Sequence, residues 1–321
     1  MQFRRASQGL IGGAVLVLGL GLGATALAAS PPPAIGNGTV APLSTSIHGT
    51  GGGGALTQVP SGPAAGLAPM GKVTRPEVRP AGSPNATYRQ VLDTWGPLAV
   101  GAGGGAWLEA YCPSGMLATG GGEVNGSVAG GVTLRNTYAL GGGSGWHVDI
   151  TNDSASSTSV TVYAVCFSGL TTYQQITASA SPSNGSAYVS IPCSGGQIVG
   201  GGGWSGSNSA YPTEAIASLY YHDWLWNVHS TSSSAVVTAQ AICADGIGNL
   251  QSPDGTHVSV APGQSVGAHT ACPSGTLVVS GGGEAYLRVT DSLFSGQAWY
   301  WYVHNDFSTT VDTDAQAICG T

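Results

Sequence analysis

The chain has 321 residues and a formal net charge of −7, from 8 Lys and Arg against 15 Asp and Glu. Charged residues make up only 7% of it, against about 25% in a typical globular domain. Nucleic-acid binding requires a clustered basic face that displaces counterions from phosphates, and an anionic membrane surface also attracts positive charge. The composition therefore argues against both kinds of partner.

The first 29 residues have the three parts of a secretory signal peptide. Arg4 and Arg5 form a basic start, residues 10–27 are apolar, and an Ala-Leu-Ala-Ala stretch at 26–29 offers a cleavage site. A retained membrane anchor is the alternative, since the apolar run approaches spanning length. The run is Gly-rich and ends in a cleavable site, so we expect 1–29 to be a signal peptide and no transmembrane segment to remain after its removal.

Residues 30–86 are dominated by Pro, Gly, Ser, Thr and Ala, with three consecutive prolines at 31–33 and four consecutive glycines at 51–54. The segment holds few large apolar residues and no hydrophobic period. Burial therefore cannot offset its ordering entropy. We expect a disordered tether.

The rest of the chain contains one unit in three copies: repeat 1 (87–168), repeat 2 (169–246) and repeat 3 (247–321). Each repeat opens with a cysteine and a run of glycines, has an aromatic strand in the middle, and closes on an alternating strand that ends Ala-x-Cys. The openings are Cys112-Pro-Ser-Gly-Met-Leu-Ala-Thr-Gly-Gly-Gly-Glu123, Cys193-Ser-Gly-Gly-Gln-Ile-Val-Gly-Gly-Gly-Gly-Trp204 and Cys272-Pro-Ser-Gly-Thr-Leu-Val-Val-Ser-Gly-Gly-Gly-Glu284. The closing cysteines are Cys166, Cys243 and Cys319.

The six cysteines predict one disulfide inside each repeat. Because the repeat pattern reduces the 15 possible pairings to one, the expected bonds are Cys112–Cys166, Cys193–Cys243 and Cys272–Cys319. An exported chain meets an oxidising compartment, and closing a loop of about 50 residues stabilises a fold by about 4 kcal/mol in the chain-entropy model. A metal site is the weaker interpretation, because the sequence has no Cys-x-x-Cys or paired-His spacing.

Alternation along the three aromatic strands assigns one face to the core and the other to solvent. The inward residues are Trp146, Val148 and Ile150 in repeat 1, Trp224, Trp226 and Val228 in repeat 2, and Trp299, Trp301 and Val303 in repeat 3. The outward residues are His147, Asp149 and Thr151, then Leu225, Asn227 and His229, then Tyr300, Tyr302 and His304. We predict an all-β fold of three pseudo-symmetric antiparallel units. They form either a closed β-prism, which removes exposed sheet edges, or three small sandwiches in tandem.

The repeat resembles a unit found in many uncharacterised secreted bacterial proteins, in its order of Cys-Pro-x-Gly, a glycine triplet, a Trp strand, Asn and Ala-x-Cys over 87–321. In its Cys-Pro-Ser-Gly openings and copy number the chain is also similar to the vitelline membrane outer layer protein family, which implies a β-prism. Neither resemblance supplies a catalytic residue. Repeat 2 departs from the pattern, with Trp204 and Ser230 where the other repeats have Glu and Asn.

The sequence indicates no catalytic residue, cofactor or metal. No phosphate-loop, HExxH or EF-hand string is present, we expect no serine nucleophile, and all cysteines should be paired. Asp312 and Asp314 could contact a cation, although a solvated strand edge is the simpler interpretation. Glu123 and Glu284 both follow a glycine triplet, so we expect them to occupy matching positions. A glycosidase needs two carboxylates about 5–10 Å apart, and turn or hydrogen-bonding roles are favoured here.

The outward residues of repeats 2 and 3 are the candidate ligand-binding residues. They are Tyr300, Tyr302, His304, Leu225, Asn227 and His229. Aromatic faces packed on sugar C–H surfaces, with polar neighbours fixing orientation, suit a glycan. The alternative is cross-strand pairing that stabilises the sheet or an interface between units. His229 and His304 also match each other and could bind a metal if they met at the axis, but locally bonded imidazoles are the simpler interpretation.

We therefore expect a secreted or cell-envelope protein without catalytic activity that binds a partner. Extracellular polysaccharide or another envelope component is the candidate partner, with 30–86 as the tether. A structural coat or matrix protein is the alternative, because low charge and cross-linked sheets suit durability, including in acid. A hydrolase with an unrecognised site is the third hypothesis.

Overall fold

A computed structural model describes residues 73–74, 87–92, 97–125, 131–183, 185–253 and 255–321, with the backbone alone for the first two segments. The predicted signal peptide at 1–29 and most of the predicted tether at 30–86 lie outside these residues. Within the described chain, the regular structure is strand except for one 3₁₀ turn at Gly141–Gly143, which confirms the all-β prediction. No helix in this part of the chain is long and apolar enough to cross a bilayer.

Repeat 1 is preceded by β1 (Val73–Thr74), which falls within 30–86 and pairs with the first strand of the repeat. The strands of repeat 1 are β2 (Thr87–Leu92), β3 (Leu98–Val100), β4 (Gly105–Tyr111), β5 (Leu117–Asn125), β6 (Val132–Ala139), β7 (Gly145–Asn152) and β8 (Thr158–Ser168). The strands of repeat 2 are β9 (Thr171–Ala180), β10 (Ser186–Pro192), β11 (Gln197–Ser205), β12 (Ala210–Ser218), β13 (Asp223–Ser230) and β14 (Val237–Asp245). The strands of repeat 3 are β15 (Val258–Val260), β16 (Ser265–Ala271), β17 (Leu277–Glu284), β18 (Arg288–Ser295), β19 (Ala298–His304) and β20 (Val311–Gly320).

These strands form three antiparallel sheets, and each sheet takes strands from two repeats. The first sheet has the order β1-β2-β8-β5-β18-β19-β16, with β3 also on β8. The second sheet has the order β4-β7-β6-β11-β14-β9, and the third has the order β10-β13-β12-β17-β20-β15. Each sheet is open at both edges.

The repeats interlock in a cycle through the middle of each sheet. Repeat 1 pairs with repeat 3 through β5 and β18, with repeat 2 through β6 and β11, and repeats 2 and 3 pair through β12 and β17. Three separate sandwiches would keep each repeat to itself, so this pairing favours a prism-like arrangement. The expected closure is wrong, because each sheet keeps two unpaired edges. The alternation along β7, β13 and β19 is also confirmed, because all nine predicted inward residues are at most 2% exposed.

The glycine runs are explained by close approach to two kinds of neighbour. A Cβ on Gly201 would lie 2.5 Å from the indole of Trp224, and the equivalent glycines in repeats 1 and 3 face Trp146 and Trp299 in the same way. At the next position, Gly202 lies opposite Gln240, whose side-chain amide crosses the glycine to reach the next repeat. Gln240 Oε1 accepts the Ala139 N–H at 2.8 Å and its Nε2 donates to the Ala139 carbonyl at 3.1 Å.

Equivalent side-chain hydrogen bonds join the repeats at the two other junctions. Gln316, opposite Gly282, bonds the Ala217 amide and carbonyl at 2.6 and 2.8 Å. In repeat 1, Tyr163 lies opposite Gly122 and donates its hydroxyl to the Ser292 carbonyl at 2.8 Å. These glycines are needed because the backbone of the neighbouring repeat is so close. A Cβ on Gly122, Gly202 or Gly282 would lie 1.9, 2.0 or 1.8 Å from the carbonyl oxygen of Ser292, Thr137 or Ala215.

The three predicted disulfides are confirmed. Cys112 is bonded to Cys166, Cys193 to Cys243 and Cys272 to Cys319. Each bond lies within one repeat but joins two sheets, since the first cysteine follows β4, β10 or β16 and the second lies in β8, β14 or β20.

The expected match between Glu123 and Glu284 is wrong by one residue. Corresponding β-bulges fall after Ala118, Ile198 and Val278, so Gly120 corresponds to Gly200 and to Ser280. The glycine triplets of repeats 1 and 3 are therefore offset by one position. Glu123 corresponds to Gly203 and Gly283, and its side chain points into the core, where it is fully buried.

Candidate functional site on the outer face of the third sheet

The outward residues of β19 form a partly exposed aromatic row on the first sheet. His269 and Tyr300 stack with ring centroids 5.5 Å apart, and Tyr300 and Tyr302 are 6.3 Å apart at 16°. The ring of Tyr302 lies over Gly267 of the edge strand β16, where an added Cβ would meet it at 2.5 Å. The row therefore makes the cross-strand contacts that the alternative interpretation predicts.

His304, at the end of this row, links a serine to a carboxylate. Ser265 Oγ lies 2.8 Å from His304 Nδ1, and His304 Nε2 lies 3.3 Å from Asp306 Oδ1. Partial burial and the charge of Arg288 lower the pKa of His304, and a hydrogen bond from Arg288 lowers the pKa of Asp306. The imidazole is therefore neutral at physiological pH.

Ser265 also corrects a sequence expectation. The string Gly263-Gln-Ser-Val-Gly267 has the G-x-S-x-G frame of a serine nucleophile. However, Ser265 begins the edge strand β16 and does not lie on a strand-to-helix turn, which the nucleophile elbow requires.

The second sheet buries a histidine between two aromatic rings. His147, predicted to face solvent, is on the outer face but only 3% exposed, because Trp107 and Tyr138 stack on its two sides at 6.0 and 4.7 Å. Its ring nitrogens lie 3.0 Å from Glu109 and 3.0 Å from Asp149. Burial works to lower the pKa of His147, but these hydrogen bonds outweigh it and raise the pKa to about 9.

On the third sheet, each outward residue of β13 lies between one residue of β10 and one residue of β12. Leu225 lies between Ser190 and Ile216, Asn227 between Tyr188 and Glu214, and His229 between Ser186 and Tyr211. Leu225 and His229 are half-buried, whereas Asn227 is only 9% exposed. All three predicted candidates of repeat 2 therefore lie on one face, and Asn227 is its most enclosed member.

Two hollows lie on this face and share the ring of Tyr286. The larger, about 360 Å³, is lined by His257, Glu284, Tyr286, Val311, Asp312, Thr313 and Asp314. The smaller, about 180 Å³, is lined by Ser186, Thr213, Asn227, His229, Tyr286 and Phe307.

Tyr286 projects from the turn between β17 and β18. Its φ of 47° is in the left-handed region, which few non-glycine residues adopt. This conformation buries its neighbours Ala285 and Leu287 fully and leaves the Tyr286 side chain 58% exposed. The turn thus places an exposed aromatic ring in the lining of both hollows.

Three carboxylates form a row beside Tyr286. Glu214 on β12 lies directly opposite Glu284 on β17, which lies directly opposite Asp314 on β20. Burial and the charges of Glu284 and Asp314 raise the pKa of Glu214 to about 7, and a hydrogen bond with Asn227 works in the opposite direction. Burial and Asp314 raise the pKa of Glu284 as well.

The face also presents hydrogen-bond acceptors that have no donor. Since the Glu214 carboxylate can only accept when ionised, Asn227 uses its amide N–H group toward it, and Asn227 Oδ1 is buried without a hydrogen-bond partner. Asp223 Oδ1 is also buried without a hydrogen-bond partner, although Asp223 Oδ2 accepts a hydrogen bond from Ser190 at 2.6 Å. Buried acceptors of this kind are normally paired, so a ligand donor would complete them.

Sequence reasoning missed Glu214, Tyr188 and Tyr286. Tyr188 could have been found, because it alternates outward along β10 with Ser186 and Ser190. Glu214 could not be paired with Glu284, because its strand belongs to another repeat. No group of three or more His, Cys, Asp or Glu within the described ranges is arranged to hold a metal ion.

Comparison with known proteins found no family model that matches the chain and no curated protein similar to it at a significant level. The function is therefore inferred from the geometry and chemistry of the site itself.

Proposed function

We propose that the protein is a secreted binding protein without catalytic activity and that it binds a carbohydrate on the outer face of the third sheet. The observation that carries this proposal is the pair of hollows divided by Tyr286. Two tyrosine rings, Tyr188 and Tyr286, are 56% and 58% exposed on this face, and sugar C–H surfaces pack on such rings. Hydroxyl groups of a sugar would supply the donors that Asn227 Oδ1 lacks.

An extracellular location is part of this proposal. Three disulfides are compatible with an oxidising compartment, and the predicted signal peptide provides the export route. The segment 30–86 would then tether the β-structure to the cell envelope, and the binding face would remain accessible to polysaccharide.

A polysaccharide pull-down with the full secreted chain tests this proposal. We expect retention on at least one insoluble or immobilised polysaccharide, and loss of about tenfold or more in affinity for Tyr286→Ala, because an aromatic contact is removed. Tyr220→Ala is the matched control, since Tyr220 is 84% exposed but lies in the turn between β12 and β13, outside both hollows. Retention on no glycan, with concentration-dependent assembly in light scattering, would instead favour a structural coat or matrix protein.

A hydrolase is the second candidate function, and the contacts of Ser265 with His304 favour it. A serine bonded to a neutral imidazole that contacts a carboxylate has the nucleophile–base–orienter order of acyl hydrolases. Labelling by a fluorophosphonate probe tests this role. Labelling of the native chain that disappears in Ser265→Ala would support it, and the absence of labelling would remove it.

A further inference from the structure

We propose that the third-sheet face recognises a polysaccharide whose sugars carry protonated amines, such as a polymer of glucosamine. This inference rests on the proposed function, because it names the class of carbohydrate for the same site. It is carried by the carboxylates of the larger hollow, by the unpaired Asn227 Oδ1 beside the smaller hollow and by the exposed rings that flank them.

The larger hollow is acidic, and neither hollow contains a strong base. Glu284, Asp312 and Asp314 line the larger hollow, and neither hollow is lined by Lys or Arg. The basic groups present are two imidazoles, of which His257 lies 3.6 Å from Asp314 and is 78% exposed. A neutral or anionic sugar would leave these carboxylates without a countercharge, whereas an ammonium group would supply it.

The unsatisfied atoms of the face require a donor. Asn227 lines the smaller hollow, is only 9% exposed, and has an Oδ1 without a hydrogen bond. An ammonium group carries three donors and no acceptor, so its hydrogen-bonding capacity is the complement of this face.

The aromatic groups favour an aminated sugar over a simple cation. Tyr286 stands between the two hollows and Tyr188 lies beside Asn227, so that rings alternate with polar groups along the face. Tyrosine rings attract both the C–H face of a sugar and a nearby cation. A chain of aminated sugars offers both features at a regular interval, with one sugar on each side of Tyr286.

The corresponding positions of the other two sheets lack this chemistry. In the second sheet Trp204 stands where the third has Glu284, and Asp149 is already bonded to His147. In the first sheet Val124 takes the place of Glu284, and Asp291, at the position of Glu214, is buried and accepts the Asn125 N–H at 2.8 Å. The acidic binding face therefore belongs to the third sheet.

Calorimetric titration with two hexasaccharides tests the inference. One is a hexamer of glucosamine and the other a hexamer of N-acetylglucosamine, at a pH that keeps the free amines protonated. We expect the glucosamine hexamer to bind at least about tenfold more tightly, the difference that one charge-assisted hydrogen bond supplies. Added salt should weaken this binding, because the carboxylates are partly exposed.

Two variants locate the effect. Glu284→Gln keeps the shape of the hollow and should reduce affinity for the glucosamine hexamer by about tenfold, with less dependence on salt. Asp312→Asn is a second variant at an exposed side chain, so that a folding defect in the first does not decide the result. Tyr220→Ala, in the turn between β12 and β13 and outside both hollows, should leave the affinity unchanged.

The outcomes separate the inference from the proposed function. Equal affinity for the two hexamers, or an affinity that Glu284→Gln leaves unchanged, overturns the inference and leaves carbohydrate binding in place. Competition by a lysine-rich peptide as effective as that of the glucosamine hexamer overturns the inference, because the charge without the sugar then suffices. Failure to bind either hexamer or any polysaccharide overturns both.

Discussion

The junction between repeats 1 and 3 differs from the two other junctions at one core position. Gly203 and Gly283 lie under the indoles of Trp226 and Trp301, each of which would lie 2.5 Å from an added Cβ. Repeat 1 has Glu123 at this position, and the residue corresponding to the second Trp is Val148. Repeats 2 and 3 thus have a tryptophan and a glycine at these two positions, whereas repeat 1 has a valine and a glutamate.

This exchange conserves volume but not polarity. Glu123 is fully buried, and its carboxyl group has no side-chain hydrogen-bond partner. Burial and the neighbouring Asp291 raise its pKa well above 4.5, although backbone hydrogen bonds at Glu123 and Ser292 work in the opposite direction. The comparison teaches that the repeat tolerates compensating changes across its core, at the cost of burying a carboxyl group.

Transferring the glutamate to repeat 3 should produce the largest effect. In Gly283→Glu the new side chain meets Trp301, which is 1% exposed, and we expect a loss of about 4 kcal/mol or more, or failure to fold. The double variant with Trp301→Val reproduces the pair found in repeat 1 and should recover part of this loss. Thermal and denaturant unfolding measure the coupling between the two sites. Additive effects would show that volume exchange does not explain Glu123.

Removing the buried carboxyl group should stabilise the protein at neutral pH. The unfolded chain ionises Glu123 above about 4.5, whereas the folded chain does not, so the unfolding free energy falls as the pH rises from this value toward the raised pKa. Glu123→Met removes this dependence and should add about 1–3 kcal/mol at neutral pH, with little change in acid. Denaturant unfolding over a pH series measures both effects.

Asp312→Asn provides the control for the pH series, because Asp312 is exposed. Asp291 is also buried with a raised pKa, so the Glu123→Met variant should retain part of the slope. A Glu123→Met variant whose unfolding free energy depends on pH as that of the native chain does would contradict this account.

A smaller effect should come from the hydroxyl that serves Trp146. Trp146 Nε1 donates to Thr137 Oγ1 at 2.7 Å, whereas the four fully buried indoles of repeats 2 and 3 have no acceptor for their N–H groups. Thr137→Ala should destabilise the protein by about 1–2 kcal/mol, because it leaves a buried donor without a partner. Thr137→Ser keeps the hydroxyl and should cost less. Equal losses for the two variants would assign the effect to packing of the methyl group.

The predictions that succeeded rest on local patterns. Alternation along β19 identified Trp299 and Trp301 as core residues, and equivalent spacing identified all three disulfides. The exchange of strands between repeats could not be predicted, because hydrogen bonds between open strand edges leave no periodic signal. The error at Glu123 and Glu284 has the same origin. Runs of glycine look alike when shifted by one residue, and only the bulges fix their register.

The site on the third sheet was predicted only in part, because local patterns identify residues within one strand but not contacts between repeats. Asn227 and His229 were found from alternation within one strand. Glu214 and Glu284 come from different repeats, and Tyr286 depends on a left-handed turn that its sequence does not signal. Side chains that meet across a junction between repeats therefore require the structure.

The disulfides that join the sheets have a consequence for resistance to proteases. The loop closed by Cys112 and Cys166 belongs to two sheets, and the same holds for the loops of the other repeats. A protease that cuts the backbone once inside such a loop leaves both new ends covalently attached and still paired with the neighbouring repeats. A molecule cut once within such a loop therefore releases no fragment.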